Sequence, residues 1–400
     1  MLFGADWEID GSGGQFLWHT DGSAVGTKVI RDSENYTDAP YVVRGNTAYF
    51  AAFFELAAWD ATTRRARTVR GFGSIGSEIV AMGRYLYFAA CDRKLGTELW
   101  RSDGTRTGTR LVKDIHPGAD RGCEDDPSTN STPRHLAVVG HRLYFAAADG
   151  VHGRELWRSD GTAAGTVMVK NIRHGGSGRP DELTAVGRRL YFTADDGVHG
   201  RELWRSDGTA AGTVMVRNVN GRRSAEPQQL TTLGGRLLYT ASGGARGREP
   251  WISDGTRLGT HRLRDVRAGR VGSEPQHVIA IGRHGFFTAN DGGHGRELWT
   301  TDGTSRGTRM VEDVRPDDPT DKGAPVQLTG VGTSLVFTAN DGGHGREPWI
   351  SDGTAAGTYL LSDVNPRGSS YAHDFVRLGH RLMFAADDGV HGQELMTMPW

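Results

Sequence analysis

One fourteen-residue phrase recurs along this chain and constrains its fold more than any other feature. The phrase Gly-Arg-Glu-Leu-Trp-Arg-Ser-Asp-Gly-Thr-Ala-Ala-Gly-Thr fills residues 153–166 and returns unchanged at 200–213. Variants of it occupy 14–27, 96–109, 247–260, 295–308 and 345–358, and a degenerate copy lies at 54–63. Self-similarity at a period of roughly 40–50 residues indicates a repeat architecture, in which one supersecondary unit is built many times.

Each repeat has the pattern of four short strands. In the repeat around Asp207, strand-like runs at 183–186 and 190–194 precede the phrase and Val-Met-Val follows it. Asp-Gly between two such runs is a strong hairpin signal, because Gly adopts the positive φ that the turn requires. Four strands per repeat match a propeller blade. The sequence therefore predicts an all-β fold, a single closed β-propeller domain over 1–400 with about eight four-stranded blades, or alternatively seven.

The two ends of the chain bear on closure. The chain begins inside a repeat and ends with a partial one over 375–396. Strands from both ends sharing one blade would leave no exposed sheet edge, which favours a closed ring over an open solenoid. The longest irregular segment is an insertion loop at 118–134.

Charge and hydropathy exclude several classes of protein. The 47 basic and 48 acidic residues balance, which argues against a nucleic-acid partner. No apolar run approaches the roughly 18 residues of a membrane helix, so no membrane insertion is expected. The chain also shows no signal peptide at its start. We expect a monomer.

The phrase Glu155-Leu-Trp-Arg-Ser-Asp-Gly-Thr resembles the signature of the bacterial ELWxxDGT repeat proteins. The resemblance covers nearly the whole chain, with Pro250 and Pro348 in place of Leu and Met396 in place of Trp as departures. It implies a propeller-like fold and a secreted or cell-surface location, and it brings no catalytic assignment.

The hairpin loops that precede the phrase carry the candidate binding residues. A histidine follows an aspartate by three residues in five repeats, and both share a predicted face with the variable connections between repeats. Such residues could bind sugar hydroxyls or a metal, or they could brace their own hairpin. The histidines are His152, His199, His294, His344 and His391, and the aspartates are Asp149, Asp196, Asp291, Asp341 and Asp388.

No cofactor is predicted, although the oxygen-rich Asp-Gly-Thr turns and the His loops leave Ca²⁺ or another divalent metal open. Asx-turn hydrogen bonding explains the turn residues equally well. The repeated tryptophans are expected in the core.

The two cysteines can form a disulfide. Cys91 ends a strand, and Cys123 lies in the insertion at 118–134, on the same predicted face. A Cys91–Cys123 bond would tether the insertion and point to an oxidising compartment; two free thiols are the alternative.

The leading functional prediction is a non-catalytic binding or scaffold propeller, with a glycan or protein ligand on the face of the His loops. The alternative is an enzyme, a hydrolase or lyase with one active site over the central channel, using Glu124, Asp125 and a nearby His or Arg. A purely structural spacer is a third reading. A deep pocket on the pore axis, lined by residues that depart from the repeat, favours the enzyme, whereas a flat face with equivalent shallow sites favours the binder. The sequence directs the search for function to places where the phrase fails, including the cysteine-bearing insertion.

Overall fold

The structure is a computed structural model. It describes residues 2–9, 12–19, 28–29, 41–52, 54–118, 122–123, 130–317 and 319–400, with side chains from residue 41 onward except that of Ala245. Glu124 and Asp125, named above for the enzyme alternative, lie outside the described residues. Within the described part of the chain no helix is long and apolar enough to span a membrane.

The chain divides into two compact units. The first comprises Met1–Val198 and Trp204–Val214, and the second comprises His199–Leu203 and Met215–Trp400. All sheets are antiparallel, and their strands are hydrogen-bonded in chain order. The described secondary structure is otherwise limited to two short 3-10 helices, Gly244–Arg246 and Asp321–Gly323.

The first unit holds sheets 1 to 4 together with β16 and β17. Sheet 1 consists of β1 (Leu2–Ile9), β2 (Ser12–His19) and β3 (Lys28–Val29). Sheet 2 consists of β4 (Val42–Arg44), β5 (Thr47–Ala52), β6 (Glu55–Asp60) and β7 (Arg65–Gly71). Sheet 3 consists of β8 (Ser74–Met82), β9 (Tyr85–Asp92), β10 (Gly96–Ser102) and β11 (Arg110–Lys113). Sheet 4 consists of β12 (Arg134–Val139), β13 (Arg142–Ala148), β14 (Arg154–Ser159) and β15 (Val167–Lys170).

Sheet 5 consists of β16 (Asp181–Val186), β17 (Arg189–Asp195), β18 (Arg201–Ser206) and β19 (Val214–Arg217). The second unit holds sheets 6 to 9. Sheet 6 consists of β20 (Gln228–Leu233), β21 (Arg236–Ser242), β22 (Arg248–Ser253) and β23 (His261–Arg262). Sheet 7 consists of β24 (Gln276–Ile281), β25 (His284–Asn290), β26 (Arg296–Thr301) and β27 (Arg309–Glu312). Sheet 8 consists of β28 (Val326–Val331), β29 (Ser334–Asn340), β30 (Arg346–Ser351) and β31 (Tyr359–Leu360), and sheet 9 of β32 (His373–Leu378), β33 (Arg381–Asp387) and β34 (Gln393–Pro399).

Blade-like sheets of four antiparallel strands therefore recur along the chain, and the predicted all-β, propeller-like architecture is confirmed. Sheets 1 and 9 instead have three strands each, and each is formed by strands from one end of the chain only. A blade shared by both ends is not seen among the described strands. Closure and the blade number remain predictions.

The turn after the tryptophan shows why the phrase has its sequence. Asp160 Oδ1 accepts hydrogen bonds from the backbone N–H of Thr162 at 2.8 Å and from its hydroxyl at 2.7 Å. Ser159 and Thr166 join their hydroxyls at 2.7 Å across the buried base of the turn. A Cβ on Gly165 would lie 2.1 Å from the Asp160 carboxyl group, so only glycine fits there. The phrase is thus a self-supporting Asx turn.

Within each unit, the first strands of successive sheets pack against one another. In the first unit β8 contacts β12 and β12 contacts β16, and in the second β20, β24, β28 and β32 form the same succession. Phe145, Leu156 and Trp157 are buried in sheet 4, as expected for the tryptophan of the phrase. These first strands carry the residues of the site described below.

Candidate functional site: a pocket beside the disulfide

The predicted Asp–His pairs act as braces within their hairpins. Asp149 Oδ1 accepts the backbone N–H groups of Val151 and His152 at 2.9 and 2.8 Å, while Oδ2 lies 2.7 Å from His152 Nδ1. The remaining histidine contacts with the same geometry are Asp291–His294, Asp341–His344 and Asp388–His391. Asp196 accepts the backbone N–H of Val198, and His199 follows in the same loop.

These contacts engage both oxygens of the carboxylates in the turn itself. The hydrogen bond that His344 makes to the Asp341 carboxylate raises the pKa of His344, as expected for an imidazole beside a carboxylate. Among the residues that the structure describes, no group of three His, Cys, Asp or Glu side chains is placed to hold a metal ion. Ligand or Ca²⁺ binding at these loops stays a prediction.

The glutamate of the phrase is buried and binds backbone groups of the connection that follows its sheet. Glu155 Oε2 accepts the N–H of Ile172 at 2.8 Å, and Oε1 accepts the N–H of Gly178 at 2.8 Å. Burial raises the pKa of Glu155. The equivalent Glu98 accepts hydrogen bonds from Ile115 and Ser131, and burial raises its pKa to about 7.

Cys91 and Cys123 are joined by a disulfide, with their Cα atoms 5.5 Å apart. Cys91 is fully buried near the end of β9, between Ser74 of β8 and Thr97 of β10 in the sheet. The disulfide therefore attaches the insertion to β9, an inner strand of sheet 3.

A pocket of about 530 Å³ opens beside this disulfide. Its walls come from the start of β8, from the start of β12 and from Cys123, and hydroxyl and ionisable groups dominate its polar lining. The residues that carry these groups are Ser74, Ser77, Glu78, Thr97, Thr132, Arg134 and His135. None of them belongs to the Asp–His hairpins. The pocket lies at the cysteine-bearing insertion, where the repeat is interrupted.

His135 stands between two carboxylates at this pocket. Its Nδ1 lies 3.8 Å from Glu78 Oε1, and its Nε2 lies 3.4 Å from Asp181 Oδ1. All three side chains are between a third and a half exposed, so they are accessible to a ligand. An imidazole in such a row can take a proton at one nitrogen and return it, with the carboxylates stabilising its charged form.

Backbone hydrogen bonds hold both carboxylates in place. Glu78 Oε2 accepts the N–H of Leu136 at 3.1 Å, and Asp181 Oδ1 accepts the N–H of Glu182 at 2.7 Å. His135 itself has a φ of 57°, in the left-handed region that non-glycine residues seldom adopt. The β-bulge at the start of β12 thus sets the direction of the imidazole.

The second unit contains a matched position without the flanking acids. His277 has a φ of 54° at the same place in β24, and the following residue, Val278, donates its N–H to Gln229 Oε1 at 2.9 Å. Gln229 thus takes the place of Glu78, and Val326 at the start of β28 takes the place of Asp181. The bulge is therefore a property of the fold, whereas the two carboxylates are particular to the His135 site.

The sequence analysis did not single out Glu78, His135 and Asp181, because these residues lie outside the repeated phrase and its hairpin loops. A usable signal was present: the first two positions of these strands vary from repeat to repeat, as Arg-His, Asp-Glu, Gln-Gln, Gln-His, Val-Gln and His-Asp. Varying polar residues in front of a constant apolar run mark positions that are not needed for packing.

No protein-family model and no curated protein matches this chain. Solved structures share a distant likeness with it. A puromycin-hydrolysing peptidase of Mycobacterium tuberculosis is 12% identical over 82% of this chain and 54% of its own, with a TM-score of 0.44. The Pyrococcus horikoshii acylaminoacyl peptidase is 12% identical over 96% of this chain and 56% of its own, at 0.45. The β-propeller domain of the trilobed protease from Pyrococcus furiosus is 12% identical over 90% and 93%, at 0.44.

The chain spans about half the length of the two whole peptidases. The solved structures that the chain resembles are those of peptidases, and the prediction of a non-catalytic binding or scaffold propeller is not carried forward.

Proposed function

We propose that this protein is a hydrolase with one acid–base site, the pocket lined by Glu78 and His135 and bordered by Asp181. The observation that carries the proposal is the carboxylate–imidazole–carboxylate row, with contacts of 3.8 and 3.4 Å, at the edge of a pocket of about 530 Å³. The matched position around His277 lacks both acids, so packing of the fold does not demand them.

Hydrolysis requires a group that removes a proton from water and a group that protonates the departing atom. His135 serves as the base that takes a proton from water and then returns that proton to the departing atom, with Glu78 as the positioning residue at Nδ1. Asp181 faces Nε2 and stabilises the imidazolium once the proton has been taken up. The guanidinium of Arg134 lines the same pocket and offers a positive charge to an oxyanion. The exposed hydroxyl of Ser77 offers a hydrogen bond to a polar substrate.

The test is a substrate screen with purified protein. Chromogenic peptide amides, carboxylic esters and glycosides are incubated with the wild type and with His135→Asn. The proposal expects turnover of at least one class by the wild type and its loss in the variant. It fails if the folded wild type hydrolyses none of them, or if His135→Asn hydrolyses the substrate equally well.

For the fold, we propose that the sheets close into a propeller of eight blades. Seven described sheets have four strands, and one further blade that draws four of the six strands of sheets 1 and 9 would make eight. The packing of first strand on first strand within each unit supports the proposal. A crystal structure in which strands of sheets 1 and 9 pair would bear it out, and an open arc would contradict it.

A further inference from the structure

The disulfide is part of the pocket wall, which gives it a role beyond cross-linking. Cys123 lines the pocket, and its Sγ lies only 2.2 Å from the position that a Cβ on Gly73 would occupy. The sulfur therefore fills the space above Gly73. This glycine directly precedes Ser74 and the other β8 residues that line the pocket. Gly73 also donates its N–H to the carbonyl of Cys91 at 2.9 Å.

A second set of contacts ties the far end of the insertion to sheet 3. Asn130 Oδ1 accepts the N–H of Thr97 at 2.9 Å, and Thr132 donates its N–H to the carbonyl of Thr97 at 3.1 Å. The Ser131 hydroxyl donates to Glu98 Oε2 at 2.7 Å. The chain then runs directly into Arg134 and His135. The insertion thus reaches the site from two attachment points, one of which is the covalent bond.

We propose that the Cys91–Cys123 disulfide is a redox-sensitive element that shapes the substrate pocket. Reduction by a dithiol breaks the S–S bond with two electrons and two protons, leaving two thiols while the dithiol closes to its own disulfide. The sulfur atoms of two thiols need more room than two sulfur atoms joined by an S–S bond. Cys91 is fully buried between two strands, and Gly73 blocks one side of Cys123, so Cys123 must leave its place in the wall.

The consequence for turnover rests on the proposed function. Because the wall changes while the Asn130–Thr132 contacts remain, reduction should raise KM more than it lowers kcat. The change of the wall itself does not depend on catalysis, which allows the two proposals to be tested separately.

The experiment is amide hydrogen exchange on the full chain, oxidised and then reduced with excess dithiothreitol, with thiol alkylation to verify reduction. We expect exchange in peptides covering Ser74–Met82 and Arg134–Val139 to rise by about threefold or more on reduction, as local opening increases. Exchange in the control strand Arg189–Asp195 should stay constant. Cys123→Ser should show the raised exchange without reductant and no response to it.

Verified reduction with unchanged exchange around Ser74 would overturn the proposal, and reduced wild type keeps this test available if Cys123→Ser fails to fold. Raised exchange in a protein that hydrolyses nothing would instead overturn the proposed function and leave the redox-sensitive wall standing.

Discussion

Nε2 of His135 lies 3.4 Å from Oδ1 of Asp181, although the two residues belong to the first strands of different sheets. These strands, β12 and β16, pack against each other within the first unit. A residue at the bulge of one strand therefore meets the first residue of the next. The proposed chemistry of the site depends on this packing. Asp181→Asn and Glu78→Gln each remove a charge from the site and leave the packing in place.

Asp181→Asn should weaken catalysis without disturbing the fold. The amide oxygen of Asn can still accept the N–H of Glu182, which Asp181 accepts at 2.7 Å. The negative charge facing His135 Nε2 is lost, so the imidazolium is no longer stabilised. We expect kcat/KM to fall on the order of 10²-fold, the lower range for acid–base catalysis. Steady-state kinetics and a thermal melt check this, and an unchanged kcat/KM in a correctly folded variant would contradict it.

Glu78→Gln separates two roles of Glu78. One is the positioning of His135, and the other is the hydrogen bond that Glu78 of β8 accepts from the backbone of Leu136 in β12. Gln229 shows that an amide oxygen can accept the equivalent backbone N–H, at 2.9 Å from Val278. Stability should therefore be retained while kcat falls by about tenfold, or roughly 1.4 kcal/mol. Glu78→Ala removes this hydrogen bond as well, so its free energy of unfolding in urea should be lower. Equal stability of the two variants would show that the hydrogen bond between Glu78 and Leu136 does not stabilise the fold.

Much of this molecule is readable from sequence, because its contacts are local. Asp160, Gly161 and Thr162 form their turn within a few residues, so the phrase itself predicts the hairpin. His152 and Asp149 are likewise neighbours in one loop. The pairing of Cys91 with Cys123 could be anticipated only as one option, since it depends on where two loops emerge.

The site at His135 could not be read in the same way. Glu78, His135 and Asp181 lie on three first strands that are far apart in the sequence, and only the packing of sheet on sheet brings them together. The candidate site lies in the variable strand that starts each blade, outside the constant phrase.

Gly165→Ala tests why glycine recurs in the phrase. A Cβ at this position would lie 2.1 Å from the Asp160 carboxyl group, which the N–H and hydroxyl of Thr162 hold in place. We expect a loss of about 1–3 kcal/mol in the free energy of unfolding, as for other overpacked sites. The control is Gly293→Ala, where the nearest atom would be Asp291 Oδ1 at an ordinary 3.7 Å. Urea denaturation measures both, and equal losses would refute the steric explanation.

Glu297→Gln should change how stability depends on pH. Burial raises the pKa of Glu297 to about 8 from the ordinary 4.5, so the folded state binds more protons than the unfolded chain between those values. The free energy of unfolding must then fall as pH rises through this window, by about 1.4 kcal/mol for each pH unit that the group contributes fully. The amide can still accept the N–H of Val314, bound at 3.2 Å in the wild type.

We expect the variant to show a flatter stability profile between pH 4.5 and 8, measured by urea unfolding across that range. Parallel profiles for the wild type and Glu297→Gln would show that the carboxyl group is already ionised when folded.

In the proposed function, the acids around His135 make a catalytic site out of a bulge that the fold repeats. A comparison of kcat/KM for His135→Asn and His277→Asn on one hydrolysed substrate tests this directly. We expect a loss on the order of 10²-fold or more for His135→Asn, with His277→Asn within about twofold of the wild type. Equal effects of the two substitutions, or full activity of His135→Asn, would contradict it.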